Sequence, residues 1–223
     1  MVPYNEYHGY SKNMLRVIDD FLGDPYTFRN EGLKLYNKEA KRSLNSKYKH
    51  SSWPGLRCYV PDFLCKKYVS QVESIVDDKL TLRNAYFQWV DETWVSGTWH
   101  TDGEYYTIMT FLNLDAPPNT GIQIADNTFK MSNGRKCKEY INNFEVDKIS
   151  FYRSSKNYYQ RYRFKKKLDK FNSSPYFKNA CTVPNKFNRT VIFNRLELHR
   201  AQKFFGEGKK ARFTMIAFCD TIQ

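Results

Sequence analysis

The first third of the chain combines one short apolar run with two segments whose apolar residues recur at helical spacing. Residues 14–22 form a short run that predicts a strand leading into a turn. Asp24-Pro25 follows, and because Asp is a favoured N-cap and Pro a favoured first helical residue, a helix is predicted from there to about Arg42. A second helix is predicted from Pro61-Asp62, with an apolar stripe formed by Leu64, Tyr68, Val72, Ile75 and Val76. Both helices are expected to support the fold rather than to carry a site.

From Leu82 onward the pattern changes to short runs of aromatic and β-branched residues. Such runs, separated by turn residues, predict strands. Because most of them have no helical segment between them, an antiparallel sandwich or barrel is favoured. The predicted fold class is therefore mainly β with flanking α-helices. The runs cover residues 82–90, 105–114, 121–125, 149–153, 189–194 and 211–219.

Length and composition indicate a single globular domain. The chain has 223 residues, of which 41% are apolar and 17% aromatic, and this is too apolar for a disordered protein. We expect one domain, with an N-terminal strand and helices in residues 1–81 and a β core in residues 82–223. No apolar run approaches the roughly 20 residues of a membrane-spanning helix, and no secretory signal is visible, so a cytoplasmic protein is expected.

The number and spacing of the cysteines argue against a disulfide framework. There are five, an odd number, and no two of them form a C-x-x-C pair. The same spacing argues against a structural zinc site. We interpret the cysteines as reduced, mostly buried thiols.

Residues 126–186 fit the strand pattern poorly and contain the densest mixture of basic and aromatic residues, so we interpret them as an insertion. The formal net charge of +13 favours polyanions or acidic substrates as partners. Interleaved cations and aromatic rings can bind a nucleic-acid backbone and stack on its bases, so a non-catalytic nucleic-acid-binding protein is one candidate function. The same composition is also typical of a solvated loop or helix face.

Two histidines and one aspartate form a candidate metal site. In a strand, residues i and i+2 project to the same side, so His100 and Asp102 can offer an imidazole nitrogen and a carboxylate oxygen to one ion. His199, which follows another strand-like run, would complete a facial set of two histidines and one carboxylate. That set leaves three positions open on octahedral Fe(II), as many as a bidentate 2-oxo acid and dioxygen require.

The last predicted strand supplies a candidate anchor for such an acid. Alternation places Arg212 and Thr214 on one face and the apolar Phe213 and Met215 on the other. A guanidinium can bind a carboxylate through two parallel charge-assisted hydrogen bonds, and the hydroxyl of Thr214 can add a third. The pattern therefore favours the distal carboxylate of 2-oxoglutarate as the group that Arg212 and Thr214 bind. A cupin-like metalloprotein with other chemistry would share the metal site but would not need Arg212 as an anchor.

Three segments of the chain resemble the Fe(II)/2-oxoglutarate-dependent oxygenase superfamily, most closely its prolyl-4-hydroxylase-type branch. They are the tetrapeptide His100-Thr101-Asp102-Gly103, the strand-like run 107–113 and the C-terminal run 188–218. Residues 17–25 are also similar to the segment that precedes the core in many members. The resemblance covers about residues 14–40 and 82–223, interrupted by the basic insertion.

The resemblance implies a double-stranded β-helix, a cupin-like jelly roll whose two sheets hold iron between them. The N-terminal helices would support that core from outside. The resemblance implies that His100, Asp102 and His199 bind iron. It implies that Arg212, with Thr214 as a helper, binds the distal carboxylate of 2-oxoglutarate. Thr107 and Phe111 would occupy strand positions that face the co-substrate.

The implied activity is hydroxylation of a substrate C–H bond by Fe(II), 2-oxoglutarate and O2, with ascorbate as a supporting reductant. Retention of Asp102 favours hydroxylation over halogenation, because halogenating relatives replace that carboxylate. A peptidyl or amino-acid side chain is the expected substrate, given the prolyl-hydroxylase-like pattern. A small metabolite and a nucleic-acid base stay open as alternatives, the latter because of the net charge of +13.

Three departures from the family pattern leave the substrate pocket undefined. Phe111 stands where relatives often have a hydrogen-bonding tyrosine, so we expect only a packing role there. The interval between Asp102 and His199 is longer than usual, which agrees with an insertion at residues 126–186. The glycine pair that often follows the strand ending at Asn113 is only Thr120-Gly121 here.

Overall fold

The structure is a computed structural model in which part of the chain is described. The predicted strand at 149–153 and nearly all of the basic segment 126–186 lie outside that part, as does Gly103. The described residues are 15–45, 55–94, 97, 99–102, 104–125, 166, 170, 173, 181–194 and 197–222.

The described part contains two α-helices and nine strands, of which the longest are Leu80–Val90 and Arg212–Thr221. Neither helix is long and apolar enough to span a membrane. In chain order the elements are β1 (Leu15–Ile18), α1 (Pro25–Asn45), β2 (Leu56–Tyr59), α2 (Asp62–Val76), β3 (Leu80–Val90), β4 (Tyr106–Phe111), β5 (Ile122–Ile124), β6 (Cys181–Val183), β7 (Thr190–Asn194), β8 (His199–Ala201) and β9 (Arg212–Thr221).

Both helices begin where the sequence predicts. Asp24 caps α1, because the backbone N–H of Thr27 donates to its Oδ1 at 3.1 Å. The helix ends at Asn45, three residues beyond the predicted Arg42. On α2 the predicted stripe is confirmed, with Leu64, Tyr68 and Val72 buried. The strands β2, β6 and β8 were not predicted, since a run of three or four residues shows too little periodicity by itself. The equally short β1 and β5 were predicted because they lie within the longer runs 14–22 and 121–125.

The strands form two antiparallel sheets. The larger sheet has the order β1-β7-β4-β9-β3-β2, and the smaller has the order β6-β5-β8. Strand order departs widely from chain order, so strands that are distant in the sequence become neighbours. In particular, β4 lies between β7 and β9, with Met109 opposite both Val191 and Ile216.

The larger sheet separates two hydrophobic layers. One face packs on the helices, where Ile108, Phe213 and Met215 join Phe28 of α1 and Tyr68 of α2 in one buried cluster. The other face packs on the smaller sheet through a second cluster, which we call the inter-sheet layer. Because side chains alternate along a strand, Thr107, Arg212 and Thr214 also lie on this second face. The inter-sheet layer contains Met109, Phe111, Ile122, Ile124, Val183, Val191, Phe193, Ile216 and Phe218.

The cysteines in the described part agree with the predicted thiols. Cys58, Cys65 and Cys219 are free and buried, whereas Cys181 is free and exposed. Burial raises the pKa of the Cys58 and Cys219 thiols to about 12, which keeps them protonated and unreactive near neutral pH. Cys137 lies outside the described residues.

A short chain of buried hydroxyls connects α2 to the larger sheet. The Tyr68 hydroxyl lies 2.7 Å from Thr110 Oγ1, which in turn lies 2.5 Å from Thr190 Oγ1. Tyr68 and both threonines are completely buried. Each hydroxyl therefore depends on its neighbours for hydrogen bonds that water cannot supply.

Replacing Tyr68 with Phe is expected to lower the free energy of unfolding by about 1 kcal/mol, the net value of one buried hydrogen bond. The Thr110–Thr190 pair should persist in this variant. Urea unfolding followed by circular dichroism measures the change. Tyr26→Phe is the matched control, because Tyr26 is largely exposed. An equal loss in both variants would contradict the role given to the buried hydroxyl chain.

Candidate metal centre

Backbone pairing brings the two candidate histidine ligands together. His100 and His199 form an isolated antiparallel bridge, in which each residue donates its N–H to the carbonyl of the other at 3.0 and 2.9 Å. Side chains of directly opposed residues lie on the same face of a sheet. The two imidazole ring centroids are accordingly 4.3 Å apart.

Asp102 completes the group from a loop rather than from a strand. Its Oδ2 lies 3.4 Å from His199 Nε2, and its Oδ1 lies 3.8 Å from His100 Nε2. One ligand atom from each of the three residues lies within 4.8 Å of the other two. The expectation that His100 and Asp102 occupy one strand is wrong, because Asp102 makes no strand pairing. The three side chains converge because of the histidine bridge and the path of the loop after it.

The three side chains differ in exposure. The Asp102 side chain is 6% exposed and His199 is similarly buried, whereas the His100 side chain is 41% exposed. Phe193 of the inter-sheet layer packs on His199 with ring centroids 4.5 Å apart. The candidate centre therefore lies at the rim of the inter-sheet layer, with one side open to solvent.

Local hydrogen bonding orients the His199 ring so that its Nε2 atom faces Asp102. Its Nδ1 lies 2.9 Å from the backbone carbonyl oxygen of Glu197. A carbonyl only accepts, so Nδ1 carries the hydrogen, and Nε2 is the ring nitrogen that faces Asp102. Histidine ligands in metal sites commonly use the second ring nitrogen in this way. Two imidazoles and one carboxylate with an open side fit Fe(II).

Arg212 is a buried cation on the same face of the larger sheet as Thr107, whose hydroxyl contacts Asp102. Arg212 is 3% exposed, and its Nε donates to the Thr120 carbonyl at 3.1 Å. The guanidinium carbon lies 5.4 Å from the centre of the Phe111 ring and 5.9 Å from that of Phe204. Burial lowers the pKa of Arg212 to about 10, so the side chain stays cationic at neutral pH.

No carboxylate pairs with Arg212 among the residues that the structure describes. A second polar group on the same face also lacks a partner there, since Thr214 Oγ1 is buried without a hydrogen bond in the described part of the chain. An unpaired buried cation is unfavourable unless a ligand neutralises it. Arg212 and Thr214 together thus offer a cation and a hydroxyl donor, which are the groups that bind a carboxylate.

The other two predicted site residues have different surroundings. Phe111 packs against Arg212, which agrees with the packing role expected for it. Thr107 instead donates its hydroxyl to Asp102 Oδ2 at 2.5 Å. Its predicted contact with a co-substrate stays a prediction. Phe204 and the Glu197 carbonyl were missed, because a loop phenylalanine and a backbone oxygen carry no sequence signal.

A row of polar side chains extends from Thr214 towards the edge of the larger sheet. Thr214 pairs with Gln88 of β3, and Gln88 pairs with Arg57 of β2. Arg57 Nη2 lies 3.4 Å from Gln88 Oε1, and the guanidinium lies 5.3 Å from the centre of the Tyr86 ring. Burial lowers the pKa of Arg57 to about 10, so the side chain is cationic at neutral pH. Arg57 and Gln88 thus continue the polar face of Thr214 across β3 and β2.

Comparison with solved structures identifies proteins that share the fold of this chain, whereas comparison with family models and curated sequences finds none. No protein-family model matches the chain, and no curated protein matches its sequence. AviO1 from Streptomyces viridochromogenes Tue57 aligns with a TM-score of 0.58 and 12% identity, over 95% of this chain and 91% of that protein. HygX from Streptomyces hygroscopicus aligns with a TM-score of 0.52 and 12% identity, over 95% of this chain and 84% of that protein.

A third match is SnoN, a non-haem α-ketoglutarate-dependent epimerase from nogalamycin biosynthesis. It aligns with a TM-score of 0.51 and 13% identity, over 95% of this chain and 78% of that protein. The chain shares its fold with these three proteins. The predicted jelly-roll class is thereby confirmed, and so is the resemblance to the oxygenase superfamily at the level of the fold. HygX has been solved with iron and with nickel and 2-oxoglutarate.

Replacing Asp102 with Ala is expected to weaken Ni(II) or Co(II) binding by more than the roughly 10- to 100-fold that loss of an outer-shell partner costs. The physical reason is that the change removes the one carboxylate of the cluster. Calorimetric titration of the metal into the purified protein measures the affinity. Glu104→Gln removes a carboxylate two residues away that does not belong to the cluster, and it should bind metal like the wild type.

Proposed function

We propose that this protein is an Fe(II)- and 2-oxoglutarate-dependent oxygenase that hydroxylates a C–H bond of an organic substrate. One observation carries the proposal. Two imidazoles and a carboxylate converge at the rim of the inter-sheet layer, and a buried arginine without a carboxylate partner among the described residues lies on the same face. The fold shared with HygX and SnoN supports it.

Different residues of the chain would bind the metal and the co-substrate. His100, Asp102 and His199 would hold the metal, with the Glu197 carbonyl fixing the tautomer of His199. Arg212 would bind the distal carboxylate of 2-oxoglutarate, and the hydroxyl of Thr214 would donate to the same group. These contacts would orient the co-substrate while the apolar inter-sheet layer excludes water around it.

Bound Fe(II) would supply the redox chemistry that couples oxidative decarboxylation of 2-oxoglutarate to oxidation of the substrate. The balance is one O2 and one 2-oxoglutarate per C–H bond, giving succinate, carbon dioxide and an alcohol. One oxygen atom enters succinate and the other enters the substrate. The protein contributes placement rather than a chemical group to these bond changes.

A peptidyl or amino-acid side chain is the proposed substrate, on the basis of the prolyl-hydroxylase-like sequence pattern. The side chains of Gln88 and Arg57 would add polar character to the sheet face that carries Thr214. A cytoplasmic location and ascorbate support belong to the same proposal.

A nucleic-acid base is the alternative substrate, favoured by the net charge of +13. Polyanion binding that weakens steeply with salt would support it. A non-catalytic nucleic-acid-binding protein has less support, because it gives no role to the metal cluster or to the buried Arg212. A cupin-like metalloprotein with other chemistry likewise leaves Arg212 and Thr214 without a function.

Purified protein supplied with Fe(II) and ascorbate is expected to convert 2-oxoglutarate to succinate slowly even without its substrate. Nuclear magnetic resonance of the reaction mixture measures both acids. His100→Ala is the control, because it removes one member of the ligand cluster. Equal succinate formation by the two proteins, with equal metal binding, would refute the proposed activity.

Replacing Arg212 with Met is expected to weaken 2-oxoglutarate binding roughly 10- to 100-fold, since charge-assisted hydrogen bonds contribute about 1.5–3 kcal/mol. Metal affinity should not change. The ligand-free variant should be as stable as the wild type within about 1 kcal/mol, because the change removes a buried cation that has no carboxylate partner among the described residues. Calorimetry and urea unfolding measure the two effects. A variant that is strongly destabilised but still binds 2-oxoglutarate would show that Arg212 is only structural.

A further inference from the structure

Thr107 makes one polar side-chain contact among the described residues. It is buried in β4 on the face of the inter-sheet layer, and its hydroxyl donates to Asp102 Oδ2 at 2.5 Å. Its neighbours across the two adjacent strands are Phe193 of β7 and Phe218 of β9, which offer it no polar side-chain atom. The hydroxyl is therefore directed at the carboxylate of the candidate centre.

Asp102 needs such a contact because its own backbone is not held in a sheet. Residues 101 and 102 make no strand pairing, whereas His100 is fixed by its bridge to His199. A carboxylate on a loop can rotate about two side-chain torsions, and each of its oxygens can turn towards a metal or away from it. Thr107 lies in the middle of the larger sheet, bonded on both sides, so its position is well defined.

We propose that Thr107 is a positioning residue for the metal centre, which holds the Asp102 carboxylate through Oδ2 in the orientation that binds a divalent cation. The inference rests on the proposed function only in taking His100, Asp102 and His199 as the metal ligands. It differs from the contact with 2-oxoglutarate that the family resemblance implies for Thr107. The hydrogen bond occupies one lone pair of Oδ2 and leaves the other oxygen atom, Oδ1, facing His100.

A matched control lies on the same strand. Thr110 is buried like Thr107, but its hydroxyl faces the helices and bonds Tyr68 and Thr190. Thr107→Val and Thr110→Val therefore make the same chemical change in β4 on opposite faces. A loss of stability is expected from both variants, whereas a loss of metal affinity is expected from only one.

The test is calorimetric titration of Ni(II) into the wild type and the variants Thr107→Val, Thr107→Ser and Thr110→Val. We expect Thr107→Val to weaken binding roughly 10- to 100-fold, as loss of an outer-shell partner does, and Thr107→Ser to restore most of the affinity. Thr110→Val should bind like the wild type. The visible absorption spectrum of bound Co(II) should change in Thr107→Val and not in Thr110→Val, because it reports the geometry of the ligands.

Two results would overturn the inference. One is unchanged affinity and an unchanged Co(II) spectrum in Thr107→Val. The other is an equal loss in Thr110→Val, which would trace the effect to the strand rather than to the hydroxyl. Should Thr107→Val not fold, Thr107→Ala removes the same hydroxyl and carries the same expectation. Failure of the metal site itself is distinguishable, because Asp102→Ala would then bind Ni(II) like the wild type.

Discussion

The antiparallel pairing of β4 with β9 is the contact on which both the hydrophobic core and the site depend. Its register sets Phe111 opposite Thr214 and Thr107 opposite Phe218. A slip by one residue would exchange the two faces of a strand, and Arg212 would then point at the helices. The ladder between β3 and β9, which runs from Leu80 to Val90, opposes such a slip by pairing β9 along most of its length.

The site places polar groups where the fold by itself would favour apolar ones. Arg212 is buried between Phe111 and Phe204, and Thr214 buries a hydroxyl without a hydrogen bond among the described residues. Each such group opposes folding, an unsatisfied hydroxyl by about 1–3 kcal/mol. The apolar residues of the two hydrophobic layers offset this cost. Local violations of this kind are typical of binding sites, because a bound ligand supplies the missing partners.

The helices and the long strands could be predicted because their signals are local. Asp24-Pro25 and Pro61-Asp62 are start signals for α1 and α2, and the alternation of residues 212 to 217 is visible without a partner strand. The short strands β2, β6 and β8 have no such signal, since they are strands only because a neighbour pairs with them. Arg57 was missed for this reason, because its position beside Gln88 follows from the pairing of β2 with β3.

By itself the sequence determined the types of the candidate ligands, their order along the chain and the shared face of Arg212 and Thr214, since alternation is a property of the extended backbone. Only the tertiary structure decided which residues meet. Three features depend on how the chain folds rather than on a local pattern. They are the bridge between His100 and His199, the approach of Asp102 to both histidines and the hydrogen bond from Thr107 to Asp102. Sheet register is set by packing across the whole molecule, and for that reason the role of Thr107 could not be predicted from its neighbours in the sequence.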